Sequence, residues 1–224
     1  MDSKLRTDNK PSFSRLFTEF CDEVGYGNPV AITDTLYDRF VVEDFAYSDD
    51  ATWFGVAHYL RTKVLLHKVE VFKAGANLFP LIPEHYRIYH PRFLQSLVFH
   101  DLSKFSAVEA LGYSGWNFET SSGDKAGFYT AWNHHIHHNE HHPEHWLLPN
   151  RGGDTTPLIM PKVFVVEMVA DWFGAGKTYG KSLEAWLPDN LHKFKFHPDV
   201  LPVLQEVLNC VGVSTKIEKD FLHV

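Results

Sequence analysis

Apolar residues recur along most of this chain at the spacing of an α-helix, and this period limits what the chain can fold into. Between about Thr52 and Ala74, Leu60, Val64 and Val71 fall on one stripe at helical spacing. Such a stripe marks the buried face of an amphipathic helix. The alternating patterns that are typical of strands are sparse, so the sequence predicts an all-α protein.

Start and stop signals place the other helices. Proline favours the first turn of a helix, glycine favours its end, and a serine three residues before a glutamate forms a capping box. The signals predict a first helix that ends at Gly75 or Asn77, a helix from Pro91 whose stripe runs through Lys104, a helix opened by Ser106 and Glu109, and a loop over 112–124. They also predict a helix from about Lys125, a helix from Pro161 whose end is loosened by Gly174, Gly176 and Gly180, and a last helix over 198–211.

Composition and charge narrow the classes of function. The net charge is −7 and no basic patch stands out, so duplex nucleic acid is not expected as a partner. Cys21 and Cys210 are too few for a disulfide framework or a thiolate zinc site. No apolar run reaches the ~18 residues of a membrane span, and the first residues lack the apolar stretch of a signal peptide. A cytoplasmic protein without membrane contact is expected.

The length of 224 residues predicts one main domain. Residues 1–50 are predicted to form an N-terminal extension with short helices and irregular segments. Residues 51–224 are predicted to form a single helical bundle. The oligomeric state is left open, with a homodimer as one possibility.

Three predicted helices carry polar residues on faces that are otherwise apolar: His67, the doublet of His100 and Asp101, and Asp171. A buried carboxylate is costly unless it is hydrogen-bonded, paired or bound to metal. Imidazole with carboxylate is a ligand set for zinc, iron, manganese or nickel, and helical bundles build metal sites from inward side chains. Each residue alone has an ordinary alternative, such as a hydrogen-bonded core histidine or an aspartate paired with Lys104.

Residues 132–146 read WNHHIHHNEHHPEHW and hold seven of the fifteen histidines of the chain. Pro143 disfavours helical geometry at the preceding residue, so a helix is predicted to break near Asn139. The break would turn the two histidine pairs in different directions. One member of each pair, His135 and His142, is predicted to face a pocket. The alternative is a solvated loop with incidental surface affinity for metal.

The order of the four polar residues along the chain resembles the HD-domain superfamily of metal-dependent phosphohydrolases. That superfamily carries a histidine, a His-Asp doublet and a distant aspartate on helices. The matching residues are His67, His100 and Asp101 in FHDLSKF, and Asp171 in EMVADW. The resemblance implies a single HD-like bundle, one or two divalent transition-metal ions, and a small phosphorylated substrate.

A closer resemblance covers most of the chain after residue 50. The strings HDLSKF, AWNHHIHHNEHH and EMVADWFGAGKTY, in this order, are similar to a family that carries a domain of unknown function and occurs in bacteria, phages and large DNA viruses. If the protein is viral, its location would be the host cytoplasm or the virion. The resemblance to this family identifies matching residues but no activity, because fold does not fix function.

The resemblance to the superfamily also suggests roles for other residues. In HD-type proteins with two metals, histidines between the doublet and the last aspartate bind the second ion. A lysine one turn beyond the doublet histidine could stabilise negative charge on a phosphoryl group, although a solvated surface lysine is the alternative. The resulting predictions are His135 and His142 as further metal ligands, Lys104, His134 and His141 as catalytic residues, and Lys177 and Asn139 as substrate-binding residues.

The predicted function is hydrolysis of a small phosphorylated metabolite or nucleotide. A metal ion would lower the pKa of a bound water and polarise a phosphoryl oxygen. One alternative is a di-iron oxygenase of the same superfamily, which would use the same residues for oxygen-dependent cleavage. A second alternative is a metal-binding structural or interaction protein without catalysis.

Overall fold

The structure is a computed structural model that describes residues 13–25, 50–87, 90–118, 125–214 and 217. The described residues are mostly helical, which confirms the all-α prediction. The helices are α1 (Phe13–Val24), α2 (Asp50–Tyr59), α3 (Leu66–Leu78), α4 (Glu84–Arg87), α5 (His90–Phe99), α6 (Ala107–Phe118), α7 (Lys125–His138), α8 (Lys162–Tyr179), α9 (Leu183–Trp186) and α10 (Val200–Cys210).

Shorter segments connect some of these helices. A π-helical segment, Leu60–Leu65, joins α2 to α3, and 3₁₀ turns occur at Leu102–Phe105 and Pro143–Trp146. Two short strands, Leu147–Pro149 and Thr155–Pro157, form an antiparallel hairpin in which Leu148 pairs with Thr156. Among the described residues, no helix combines the length and apolarity needed to cross a membrane.

The chain divides into two compact units. Unit 1 contains residues 1–66 and 102–135, and unit 2 contains residues 67–101 and 136–224. Most of the predicted extension over residues 1–50 lies outside the described residues, and α1 is its described helix. The predicted division at residue 50 stays a prediction.

In unit 1, α2 packs on α6, and α1 contacts the π-helical segment. The loop predicted over 112–124 is wrong as far as Phe118, because α6 continues through Gly112. A Cβ at Gly112 would come within 2.6 Å of Ala131 Cβ and of the Gly127 carbonyl oxygen. The glycine therefore permits a close approach of α7 instead of ending its own helix. The predicted start of α6 is confirmed, since Ser106 Oγ accepts a hydrogen bond from the Glu109 amide at 3.4 Å.

In unit 2, α8 is the central helix and contacts α5, α9 and α10. Its predicted start is confirmed, because Pro161 lies directly before it. The loosening predicted at Gly174 and Gly176 is wrong, because α8 continues through both and ends at Gly180, which has a φ of 77°. Of the two predicted ends of α3, Gly75 is wrong and Asn77 is one residue short, since α3 continues to Leu78. A Cβ at Gly75 would lie 2.5 Å from Leu97 Cδ1, so this glycine also serves helix packing.

The helix predicted from Pro91 through Lys104 is wrong beyond Phe99. The chain turns at His100 and Asp101, and a 3₁₀ turn follows. Asp101 has a φ of 57°, which is incompatible with continuation of a right-handed α-helix. The predicted stripe shared by His100 and Lys104 therefore does not exist.

Close contact between α3 and α8 predicts an unusual response to glycine substitution. A Cβ at Gly174 would lie 2.5 Å from Val71 Cγ2 and 2.7 Å from the Val71 amide nitrogen. We expect Gly174→Ala to lower the free energy of unfolding by about 1–3 kcal/mol in urea denaturation, although alanine favours helix. Gly152→Ala is the control, because no atom lies within 4 Å of its Cβ position. Equal stability of both variants would contradict this packing.

Candidate metal centre

A cluster of polar side chains lies inside unit 2. His67 comes from α3, His100 and Asp101 from the turn after α5, and Asp171 from α8. His67 is 5% exposed, while His100 and Asp101 are each 1% exposed. Asp171 is also mostly buried, with 14% of its side chain exposed. The structure thus brings together the four residues that the HD-like pattern predicted.

The Nε2 atoms of the two histidines lie close to each other and to one oxygen of each aspartate. His67 Nε2 is 2.9 Å from Asp171 Oδ1, 3.4 Å from Asp101 Oδ2 and 3.4 Å from His100 Nε2. His100 Nε2 is 3.5 Å from Asp101 Oδ2 and 3.4 Å from Asp171 Oδ1. Ligands at about 2.1 Å from one ion are separated by about 3.4 Å in a tetrahedron and about 3.0 Å in an octahedron. The spacing and chemistry of the donors therefore fit a divalent transition-metal ion.

Asp101 adopts a backbone conformation that is uncommon for a residue with a side chain. Its φ of 57° is the one positive value among the described residues other than glycine. Aspartate tolerates the left-handed region better than most residues, but backbone strain of this kind persists mainly where the surrounding structure requires it. The turn carries the carboxylate into the cluster.

Glu167, one helical turn before Asp171 on α8, orients two of the imidazoles. Its Oε1 lies 3.2 Å from His100 Nδ1 and 3.3 Å from His141 Nδ1. A histidine that donates from Nδ1 to a carboxylate keeps its Nε2 lone pair for a metal. Glu167 is therefore a hydrogen-bond partner of both histidines. His67 differs, because its buried Nδ1 has no hydrogen-bond partner among the described residues.

The imidazoles and carboxylates of the cluster shift one another's pKa values. Burial alone would lower the pKa of His100, but Asp101, Asp171 and Glu167 outweigh it and raise that pKa to about 9. Burial would raise the pKa of Glu167, but hydrogen bonds from His100 and His141 lower it to about 2. The pKa of Asp171 is likewise held well below its usual value against the effect of burial, by His100 and His67. The cluster stabilises carboxylates in their charged form.

The second half of the histidine run supplies one more imidazole. The helix ends at His138, which confirms the predicted break near Asn139. His141 is 2% exposed, and its Nε2 lies 3.7 Å from Asp101 Oδ1 and 4.0 Å from Asp171 Oδ2. Each aspartate thus turns one oxygen towards His67 and His100 and the other towards His141.

His142 lies at the edge of this group. Donor atoms of Asp101, His141 and His142 fall within 4.8 Å of one another. His142 Nδ1 is 3.9 Å from Glu144 Oε2, which has no hydrogen-bond partner among the described residues. Burial raises the pKa of Glu144. Glu144 was not predicted from the sequence, because a glutamate in a histidine-rich turn is usually solvated.

The first half of the run lies in unit 1 and has its own carboxylate. Glu109 is fully buried, with Oε1 2.6 Å from His134 Nδ1 and Oε2 2.9 Å from His135 Nδ1. Ser103 Oγ is 3.4 Å from the same nitrogen of His135. Glu109 therefore orients histidines as well as taking part in the helix start. His135 as a metal ligand and His134 as a catalytic residue stay predictions.

The other predicted residues are Lys104, Asn139 and Lys177. Lys104 is a half-buried residue of the 3₁₀ turn in unit 1. Asn139 is buried, and its carbonyl accepts a hydrogen bond from the His142 amide at 3.1 Å. Lys177 lines a groove of about 470 Å³ together with Phe173 and other residues of α3, α8 and α10. Their predicted roles in catalysis and substrate binding stay predictions.

Comparison with known proteins identifies a family. Residues 57–210 match the sequence profile of DUF5662, a family of unknown function. The matched segment covers about two thirds of the chain and includes every residue of the cluster in unit 2. No curated protein and no solved structure shows significant similarity to the chain.

The raised pKa of His100 predicts how pH affects the metal-free protein. The folded pKa of about 9 exceeds the usual value of 6.5. The contribution of His100 to stability is therefore complete below pH 6.5 and is lost as pH rises through 9. We expect the free energy of unfolding of chelator-treated protein to fall over this range by up to about 3 kcal/mol in urea titrations. His100→Asn should remove most of this slope, and a flat wild-type profile would contradict the expectation.

Proposed function

The chain belongs to the DUF5662 family, and for it we propose a metal-dependent phosphohydrolase that acts on a small phosphorylated metabolite or nucleotide. The observation that carries the proposal is the set of His67, His100, Asp101 and Asp171, in which the two histidines lie 2.9–3.5 Å from each other and from both aspartates. The order of these residues along the chain supports the likeness to the HD superfamily. The phosphorylated substrate rests on that likeness alone.

One or two ions are part of the proposal. One oxygen of each aspartate lies near His67 and His100 and the other lies near His141, so these five residues would hold one or two ions. His142, near Asp101 and His141, is the next ligand for the second ion. Zinc, iron, manganese and nickel all accept nitrogen and oxygen donors of this kind.

The protein residues have definable tasks in this reaction. Divalent ions, when bound, would activate water as a nucleophile and polarise the phosphoryl group. Hydrolysis would form a P–O bond to the water oxygen, break the ester P–O bond and transfer one proton of the water to the departing oxygen. Glu167 keeps the Nε2 lone pairs of His100 and His141 directed into the site through its hydrogen bonds to both Nδ1 atoms. These hydrogen bonds hold both rings in the orientation that a metal ion would need.

A di-iron oxygenase is the second candidate. Three imidazoles and two carboxylates, each with both oxygens turned towards histidines, form a nitrogen- and oxygen-rich set that also suits a pair of iron ions. The two candidates share the site and differ in the element that they need and in the consumption of dioxygen.

The ligand assignment predicts which substitutions remove metal. Asparagine retains the shape of aspartate and tolerates the left-handed backbone of Asp101. We expect Asp101→Asn and Asp171→Asn to lose most of their bound metal in elemental analysis of untagged protein that was never exposed to nickel resin. His137→Ala is the control, since this histidine is exposed. Full metal stoichiometry in both aspartate variants would show that the assignment is wrong.

The bound element decides which activity is assayed. With zinc, manganese or nickel, we expect release of inorganic phosphate from a panel of phosphomonoesters and nucleotides, and loss of this activity in Asp171→Asn. With iron and substrate-dependent uptake of dioxygen, the oxygenase replaces the hydrolase. A stoichiometric metal without phosphate release and without dioxygen uptake would favour a metal-binding structural protein.

A further inference from the structure

Lys68 is a fully buried lysine next to a predicted metal ligand. It follows His67 on α3, and its side chain has 0% exposure. Lysine is almost never fully buried unless its amine is paired or hydrogen-bonded, because removal of an ammonium group from water is costly. A leucine or methionine could fill the same space at lower cost. An amine at this position therefore requires a specific partner.

The partners of Lys68 are backbone carbonyls at the end of α5. Its Nζ donates a hydrogen bond to the Val98 carbonyl oxygen at 3.0 Å and another to the carbonyl oxygen of His100. Carbonyls in the last turn of a helix lack partners within that helix. Both residues are buried, with exposures of 0% and 1%, so water is a poor substitute. A cation also interacts favourably with the negative end of the helix dipole.

These hydrogen bonds lie at the point where the chain leaves α-helical geometry. The His100 carbonyl belongs to the peptide that leads directly into Asp101, whose φ is 57°. A donor fixed on this carbonyl sets the orientation of that peptide plane and thereby limits the direction of the Asp101 side chain. The donor comes from α3, which also carries His67, so one helix supplies a ligand and fixes the backbone that presents two more.

We propose that Lys68 is a positioning residue of the metal centre: through two backbone carbonyls at the end of α5, it fixes the turn that presents His100 and Asp101 to an ion. The inference rests on the proposed metal site. Lys68 itself touches neither substrate nor metal in this role. It acts through the backbone of the doublet, which has to be held within a few tenths of an ångström for tight binding.

The test compares two lysines of the same helix. Lys68→Met removes the donors and retains most of the volume. Lys73→Met is the matched control, because Lys73 is half-exposed and lies 3.9 Å from Glu70 at the surface. The affinity of chelator-treated protein for Zn²⁺ alone is measured by competition with a chromophoric chelator, together with the unfolding temperature of the metal-free form. We expect Lys68→Met to weaken Zn²⁺ binding about 10- to 100-fold and Lys73→Met to leave it unchanged.

The outcomes separate the two proposals. Wild-type affinity in folded Lys68→Met, even with a lower unfolding temperature, would make Lys68 a purely structural residue and leave the metal site intact. Failure of the wild-type protein to bind Zn²⁺ or any other divalent metal would overturn the metal site and this inference together. If Lys68→Met does not fold, Lys68→Gln, which retains a shorter donor, takes its place. Unchanged Zn²⁺ affinity in that variant would equally overturn the inference.

Discussion

Two carboxylates, those of Glu167 and Asp171, lie one helical turn apart on α8. A carboxylate removed from water is tolerated only where hydrogen-bond donors or positive charges surround it. The compensation comes from imidazoles: His100 and His141 bind Glu167, while His67 and His100 lie against Asp171. The packing of α3, α5, α8 and the segment after α7 therefore has to place these rings within about 3 Å of the carboxylates. The same closeness creates a set of nitrogen and oxygen donors with the spacing of a coordination sphere.

Small residues make that closeness possible. Gly75 lies against Leu97, and Gly174 lies against Val71, with no room for a Cβ in either place. Both glycines are inside helices, where glycine is unfavourable by roughly 1 kcal/mol relative to alanine. The close approach that they permit draws the helices of unit 2 together around the polar cluster, so a local cost in helix stability supports the geometry of the site.

The histidine run illustrates how one stretch of sequence serves two environments. The helical end at His138 separates His134 and His135, which share the buried carboxylate of Glu109, from His141, which shares Glu167. In both units a buried glutamate lies within hydrogen-bond distance of the Nδ1 atoms of two histidines. This repeated pairing of carboxylate with imidazole is a common way to orient metal-binding histidines.

The sequence by itself determined the all-α class and most helix starts, because apolar residues recur at helical spacing. It also pointed to the four polar residues of the cluster, because a histidine or aspartate stands out on an otherwise apolar helix face. Tertiary structure decided what spacing does not encode. Gly75 looks like a helix end until its contact with Leu97 is known. Lys68 is indistinguishable from a surface lysine until α5 supplies two carbonyls. His141 joins the cluster because Glu167, on α8, binds its ring. In each case the deciding partner is distant in sequence, and only the folded chain brings it into contact.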